Sequence, residues 1–205
     1  MTQDTANPGY VRPGGRTARV RAAVLRAAGD LLTERGFAGL DLTEVAARAD
    51  VGKTTVYRRW RTPVGVVADL LSEMAETSLP HADTGSLRGD LLANAHLVAR
   101  TLTDPRQGPL FKALAAAATC DVATAAALHA FYDARLTEWS PCVEAAVARG
   151  ELPAGTDSRA VLSAVSAPLY YRLLASGDPI DDHVVTTAAD AAALAARAGL
   201  FTGTA

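Results

Sequence analysis

One stretch, residues 41–61 (DLTEVAARADVGKTTVYRRWR), limits the folds open to this chain more than any other. Thr43 stands where a hydroxyl caps a short helix, TEVAARAD, whose apolar side is Val45, Ala46 and Ala49. Asp50-Val51-Gly52 follows as a tight turn, with Gly52 expected to take the left-handed backbone. A second short helix, KTTVYRRW, comes next. Two short helices across such a turn make a helix-turn-helix, the unit that lays its second helix in the major groove of duplex DNA.

The composition of that second helix supports the reading. Val56 and Trp60 lie four apart and share a face that can pack inward. Lys53, Thr54, Thr55, Arg58 and Arg59 then point outward. Lys53 and Thr54 sit at the end that enters the groove deepest. Thr55 is small enough for close approach, and Tyr57 offers a phenol to a phosphate oxygen. Arg58 and Arg59 have the fork geometry that reads guanine or clamps phosphate, and Arg61 follows directly. Thr43, as the cap, is expected to present backbone N–H groups to a phosphate. Arg12, Arg16 and Arg19 flank Pro13-Gly14-Gly15, an arrangement that suits a basic arm entering the minor groove, or else a solubilising tail.

Charge is distributed to match. Residues 1–62 hold 11 Lys/Arg against 6 Asp/Glu, a net of +5; residues 63–205 hold 9 against 16, a net of −7. A basic front on an acidic body points to a polyanion partner for the front alone. The chain is 49% hydrophobic and rich in helix formers, which predicts an all-α protein of nine helices. Residues 1–15 read as a disordered arm, 16–61 as the helix-turn-helix head, and 62–205 as a helical body. Helix 1 spans about 16–35, and helix 4 starts at Thr62-Pro63 and runs to about Thr77. Helices 5 and 6 cover about 87–102 and 110–119. Helix 7 covers 121–149, with a kink or break expected at Pro141. Helices 8 and 9 cover about 157–176 and 181–198.

The segment from Arg19 to Trp60, through "ERGF", "LTEVAARADV" and "GKTTVYRRW", resembles the TetR (tetracycline-repressor-like) family of bacterial transcription regulators. "PLYYRLLASGDPIDD" before an Ala-rich closing helix resembles a C-terminal type common in actinobacteria. The resemblance implies a homodimer, a palindromic operator in double-stranded DNA, repression, and release by a small molecule bound in the body. It places DNA contacts at Thr43, Lys53, Thr54, Thr55, Tyr57 and Arg58. The family often carries a lysine in the turn before helix 4; here the turn reads Arg61-Thr62-Pro63, so Arg61 is the cation left to do that work.

Two expectations concern the body. Val161, Leu162, Val165, Leu169 and Leu173 of helix 8, with Val184, Val185, Ala188 and Leu194 of helix 9, form apolar faces. They are expected to join two copies as a four-helix bundle, with Ala191, Ala192 and Ala195 permitting close approach. A cavity among helices 4 to 8 would be walled by Leu71, Met74, His96, Phe111, Leu114, Leu128, Tyr132, Trp139 and Tyr170, which suits a largely apolar or aromatic effector. Plain core packing is the alternative for each.

Enzyme chemistry finds no support. The sequence has no Gly-rich phosphate loop, no metal-ligand spacing and no Ser/His/Asp arrangement, so neither cofactor nor metal is expected. Cys120 and Cys142 are expected to be buried, reduced thiols. The polar N-terminus lacks an apolar signal core, and no apolar run reaches membrane-spanning length. The expectation is a soluble cytoplasmic protein that binds DNA or, as the alternative, is a helical interaction protein or an enzyme with no DNA binding.

Overall fold

The computed structural model describes residues 14–203. Within them lie α1 (Gly14–Arg35), α2 (Leu42–Arg48), α3 (Lys53–Trp60), α4 (Pro63–Glu76), α5 (Leu87–Thr103), α6 (Gln107–Ala118), α7 (Val122–Ala148), α8 (Ser158–Tyr171) and α9 (Asp182–Arg197). A 3₁₀ turn (Phe37–Gly39) follows α1, and a π turn (Arg172–Ser176) extends α8. Among the described residues the one extended pairing is an isolated bridge between Thr156 and Thr202. The fold is all-α, as expected. The proposed disordered arm lies outside the described residues except for its last two positions, and Arg12 lies outside them entirely.

Most helices start where a short polar side chain precedes the apolar pattern. Thr62, Ser86, Asp121, Asp157 and Asp181 each accept a backbone N–H of the first turn. Three local expectations fail. Asp41, not Thr43, caps α2: its carboxylate takes the N–H groups of Thr43 (2.6 Å) and Glu44 (3.1 Å). A carboxylate accepts these bonds more strongly than a hydroxyl and also suits the positive end of the helix. The left-handed residue of the turn is Asp50 (φ 52), while Gly52 caps α3 at φ −59. Asp tolerates this conformation because its side chain can bond locally. Finally, of the kink or break expected at Pro141, the break does not occur: α7 is one helix through it, with Ser140 donating its hydroxyl to the Leu136 carbonyl in the turn before. Packing of Trp139, Cys142 and Val143 on both sides of the proline holds the helix together.

The interior has two apolar clusters. In the first, Val24, Leu25, Leu31 and Leu32 of α1 pack with Val45 and Ala46 of α2, Val56 and Trp60 of α3, and Val66, Val67, Leu70 and Leu71 of α4. Leu110 and Leu114 of α6 and Leu128 of α7 join it. The second unites α5, α8, α9 and the C-terminal half of α7 around Leu91, Trp139, Val143, Leu162, Val165, Leu169 and Ala189. Met74 and Phe131 touch both.

That second cluster corrects the expected dimer faces. Val161, Leu162, Val165 and Leu169, with Val184, Val185 and Ala188, are buried within a single chain, chiefly because α5 packs across α8 and α9. Ala192 is buried too, and Leu173 is partly covered. Of the large residues named for those faces, Leu194 is the exposed one, at 71%. The thiols differ as well: Cys142 is buried, but Cys120 is exposed in the turn between α6 and α7.

Candidate functional site

α3 has two faces. Val56 and Trp60 are buried against α1, α2 and α4, and this fixes the roll of the helix. Lys53, Thr54, Tyr57, Arg58 and Arg59 are exposed and Thr55 is half-exposed, so the polar groups are turned to solvent along two turns. Arg21, Arg35, Arg48 and Arg59 have carboxylate partners, whereas Lys53, Arg58 and Arg61 have none among the described residues. Arg59 is drawn back: its guanidinium lies 5.0 Å from the Trp60 ring centre and 3.8 Å from Asp69. It is therefore less free to meet DNA than Arg58. Tyr57, 43% exposed, shares a 3.3 Å hydrogen bond with the Thr43 hydroxyl. The two hydroxyls form one polar spot where α2 meets α3. The α2 N–H groups expected to receive a phosphate are already taken by Asp41. Arg16 is exposed and unpaired among the described residues; Arg19, also exposed, bonds the Gly15 carbonyl through Nε.

Asp69 on α4 anchors the recognition helix from behind. Its Oδ1 accepts from Arg21 Nε (3.0 Å) and Nη2 (2.7 Å), and its Oδ2 accepts from the Trp60 indole N–H (2.8 Å). Burial pushes the Asp69 carboxyl up, but these bonds and the nearby guanidinium charges outweigh it and hold the group below the usual carboxylate range. One side chain thus ties α1, α3 and α4 together. The α3–α4 junction is tight. Arg61 takes φ 60 and ψ −41, and Thr62 N–H reaches back to the Trp60 carbonyl at 2.6 Å, which makes a γ-turn of the strained, positive-φ kind. A Cβ on Gly65 would collide with that same carbonyl.

Behind the head, a cavity of about 310 Å³ opens among α4 to α8. Met74, Phe111, Tyr132, Trp139 and Tyr170 line it. Leu71, Leu114 and Leu128 do not; they serve the first core cluster. His96 is half-buried on α5 and also lies off the wall. Phe111, Phe131, Tyr132 and Tyr170 close a cycle of ring contacts with centres 5.3 to 6.3 Å apart. The wall is more polar than the sequence reading allowed. Asn94, Thr101, Gln107, Arg135 and Ser166 also contribute to it. Arg135 donates from Nη2 to the Leu79 carbonyl at 2.9 Å, and from Nη1 to the Ala75 carbonyl in the last turn of α4 at 3.5 Å. The helix that carries Asp69 under the head is therefore held at its far end by a cavity residue.

Comparison with known proteins decides the family. Residues 24–65 match the model of bacterial regulatory proteins of the tetR family, and residues 81–192 match that of the tetracyclin repressor-like C-terminal domain. The chain belongs to the TetR family. It is 34% identical over 164 residues to the HTH-type transcriptional regulator YdeS of Bacillus subtilis, covering 80% of this chain and 82% of that one. The DNA-binding transcriptional repressor TetR of Mycobacteroides abscessus is 31% identical over 163 residues, covering 78% and 85%. A crystal structure of the TetR family transcription regulator SCO0332 superposes with a TM-score of 0.67 at 30% identity, covering 85% of this chain and 97% of that one.

The protein is thus a TetR-family transcriptional regulator, and this family binds DNA rather than catalysing a reaction. Burial, then nearby Asp90, pushes the Cys142 thiol up to about 12, so this buried thiol stays protonated at neutral pH. No helix of the described residues is long and apolar enough to cross a membrane. Sequence reasoning missed Asp69, Arg21 and Arg135. The signal for the first was faint but present, since a lone acidic residue in the apolar run PVGVVADLL needs a partner when half-buried.

Proposed function

We propose that two copies of this regulator hold a palindromic operator through α3, with Lys53, Thr54, Thr55 and Arg58 toward base edges and Tyr57, Thr43, Arg61, Arg16 and Arg19 toward phosphates. Arg59 is a secondary contact, because Asp69 and Trp60 already engage it. The observation that carries this reading is the two-sidedness of α3: one face is locked in the core, and the other bears cations without internal partners. Repression is the expected direction, in keeping with the name of the Mycobacteroides abscessus relative.

The copies are proposed to meet through the outer surface of α8 and α9. Ala167, Pro168 and Tyr171 of α8, Leu174 of the π turn, and Ala191 and Leu194 of α9 are exposed there. Large exposed apolar residues grouped with small ones mark an association surface. The cavity is the proposed effector site. Selection of genomic fragments by the purified protein tests the reading. It should enrich a short inverted repeat, and the complex should dissociate with rising salt. Enrichment without any shared sequence would contradict it.

A further inference from the structure

The cavity wall has an uneven charge make-up. It carries one guanidinium, Arg135, and no Asp or Glu. Arg135 is half-buried, and its hydrogen bonds go to two neutral carbonyls, those of Leu79 and Ala75. Glu138, one turn further along α7, exerts some electrostatic pull on Arg135, but it is exposed, lies 3.9 Å from His81, and is not within ion-pair distance; nor is any other carboxylate among the described residues. A second donor stands beside it. Trp139 is 3% exposed, and its indole N–H is buried without an acceptor. Buried N–H groups nearly always find one, and Trp139 borders the cavity. Asn94, 8% exposed, brings an amide to the same wall. Tyr132 and Tyr170 are held neutral by burial and add no negative charge. The four-ring cycle supplies flat apolar contact around these groups.

From this juxtaposition of an unpaired guanidinium, an orphaned indole N–H and an aromatic cage, we propose that the effector is a planar aromatic carboxylate. Its acid group bonds Arg135, and its second acceptor oxygen or ring substituent meets Trp139. The proposal rests on the reading of the cavity as the effector site and names the ligand class for it. It also supplies a route to the head. A carboxylate is a stronger acceptor for a guanidinium than a peptide carbonyl. The ligand therefore competes with Ala75 and Leu79 for Arg135 and withdraws the cation that caps the C-terminal end of α4. At its other end, α4 holds Trp60 and Arg21 through Asp69. Release of α4 at the cavity thus changes the seat of α3.

The test uses one- and two-ring probes, benzoate, 1-naphthoate and 2-naphthoate, each beside its uncharged carboxamide. Binding is followed by calorimetry and by quenching of Trp139 fluorescence in a Trp60→Phe background. At least one acid should bind about tenfold or more tighter than its amide, the scale of one hydrogen bond to a charged group. Arg135→Gln should erase that preference by weakening the acids far more than the amides, and Arg135→Lys should keep part of it. In the wild-type protein the preferred acid should also weaken binding to the selected operator, and in Arg135→Gln it should not. Equal binding of acids and amides would overturn the anionic class yet leave the cavity as an effector site. No binding of either series would overturn both.

Discussion

Asp69→Asn removes one charge from the point where three helices meet. The carboxylate receives three N–H groups, two from Arg21 on one oxygen and the Trp60 indole on the other, at 2.7 to 3.0 Å. An asparagine keeps one acceptor oxygen and turns an NH₂ toward either the Arg21 fork or the indole. One of the two contacts becomes donor against donor. Bonds to a charged group contribute about 1.5–3 kcal/mol each. The site is 22% exposed, so water screens part of that. Losing one side of the bridge and the charge on the other gives an expected destabilisation of about 2–4 kcal/mol. For a chain of this length that corresponds to a fall in Tm of about 5–15 °C. Scanning calorimetry at fixed protein concentration measures it, with Glu73→Gln as the reference. Glu73 reaches the same Arg21 at 3.2 Å from a more exposed position, and its loss should cost under about 1 kcal/mol. Operator affinity should fall in Asp69→Asn, and binding of small ligands in the cavity should not. Should the two variants melt within about 2 °C of each other, Asp69 is an ordinary surface pair and α3 is seated by apolar packing alone.

Other outcomes follow from the same geometry. The Asp69 carboxyl is held low in the folded state, so its contribution is present above the unfolded carboxylate value near ~3.9 and is lost as pH falls through the folded one. The gap in Tm between wild type and Asp69→Asn should therefore close on acidification below about pH 4. Arg61→Gly should raise stability by about 1 kcal/mol through relief of the positive-φ turn. The same change should weaken binding to all DNA sequences alike and lower the salt slope by about one, as a lost phosphate contact does. Leu194→Glu should convert a dimer to a monomer in sedimentation, whereas Leu200→Glu, equally exposed but beyond α9, should leave the dimer intact.

Much of the architecture was legible because apolar residues recur at helical spacing and punctuation is explicit. KTTVYRRW became α3 residue for residue, and Val56 and Trp60 faced inward. Local competition among polar groups was harder to read. Asp41 and Thr43 are both able caps, and the carboxylate won; Asp50 and Gly52 can both take left-handed backbone, and the turn used Asp50. Tertiary choice was harder still. The apolar stripes of α8 and α9 look the same whether α5 or a second copy covers them, and α5 does. The Arg21–Asp69 pair and the bonds of Arg135 were not legible because those partners lie 48 to 60 residues apart, a pairing that periodicity does not encode.

The most direct measurement is a base-by-base comparison of operator preference for the wild type, Tyr57→Phe and Arg58→Ala on a randomised operator library. The outward face of α3 predicts different results for the two variants. Tyr57→Phe should lower affinity evenly, and Arg58→Ala should lose discrimination at one base pair in each half-site by about 1–3 kcal/mol. Unchanged preference and affinity in both variants would mean that α3 does not lie against the base pairs.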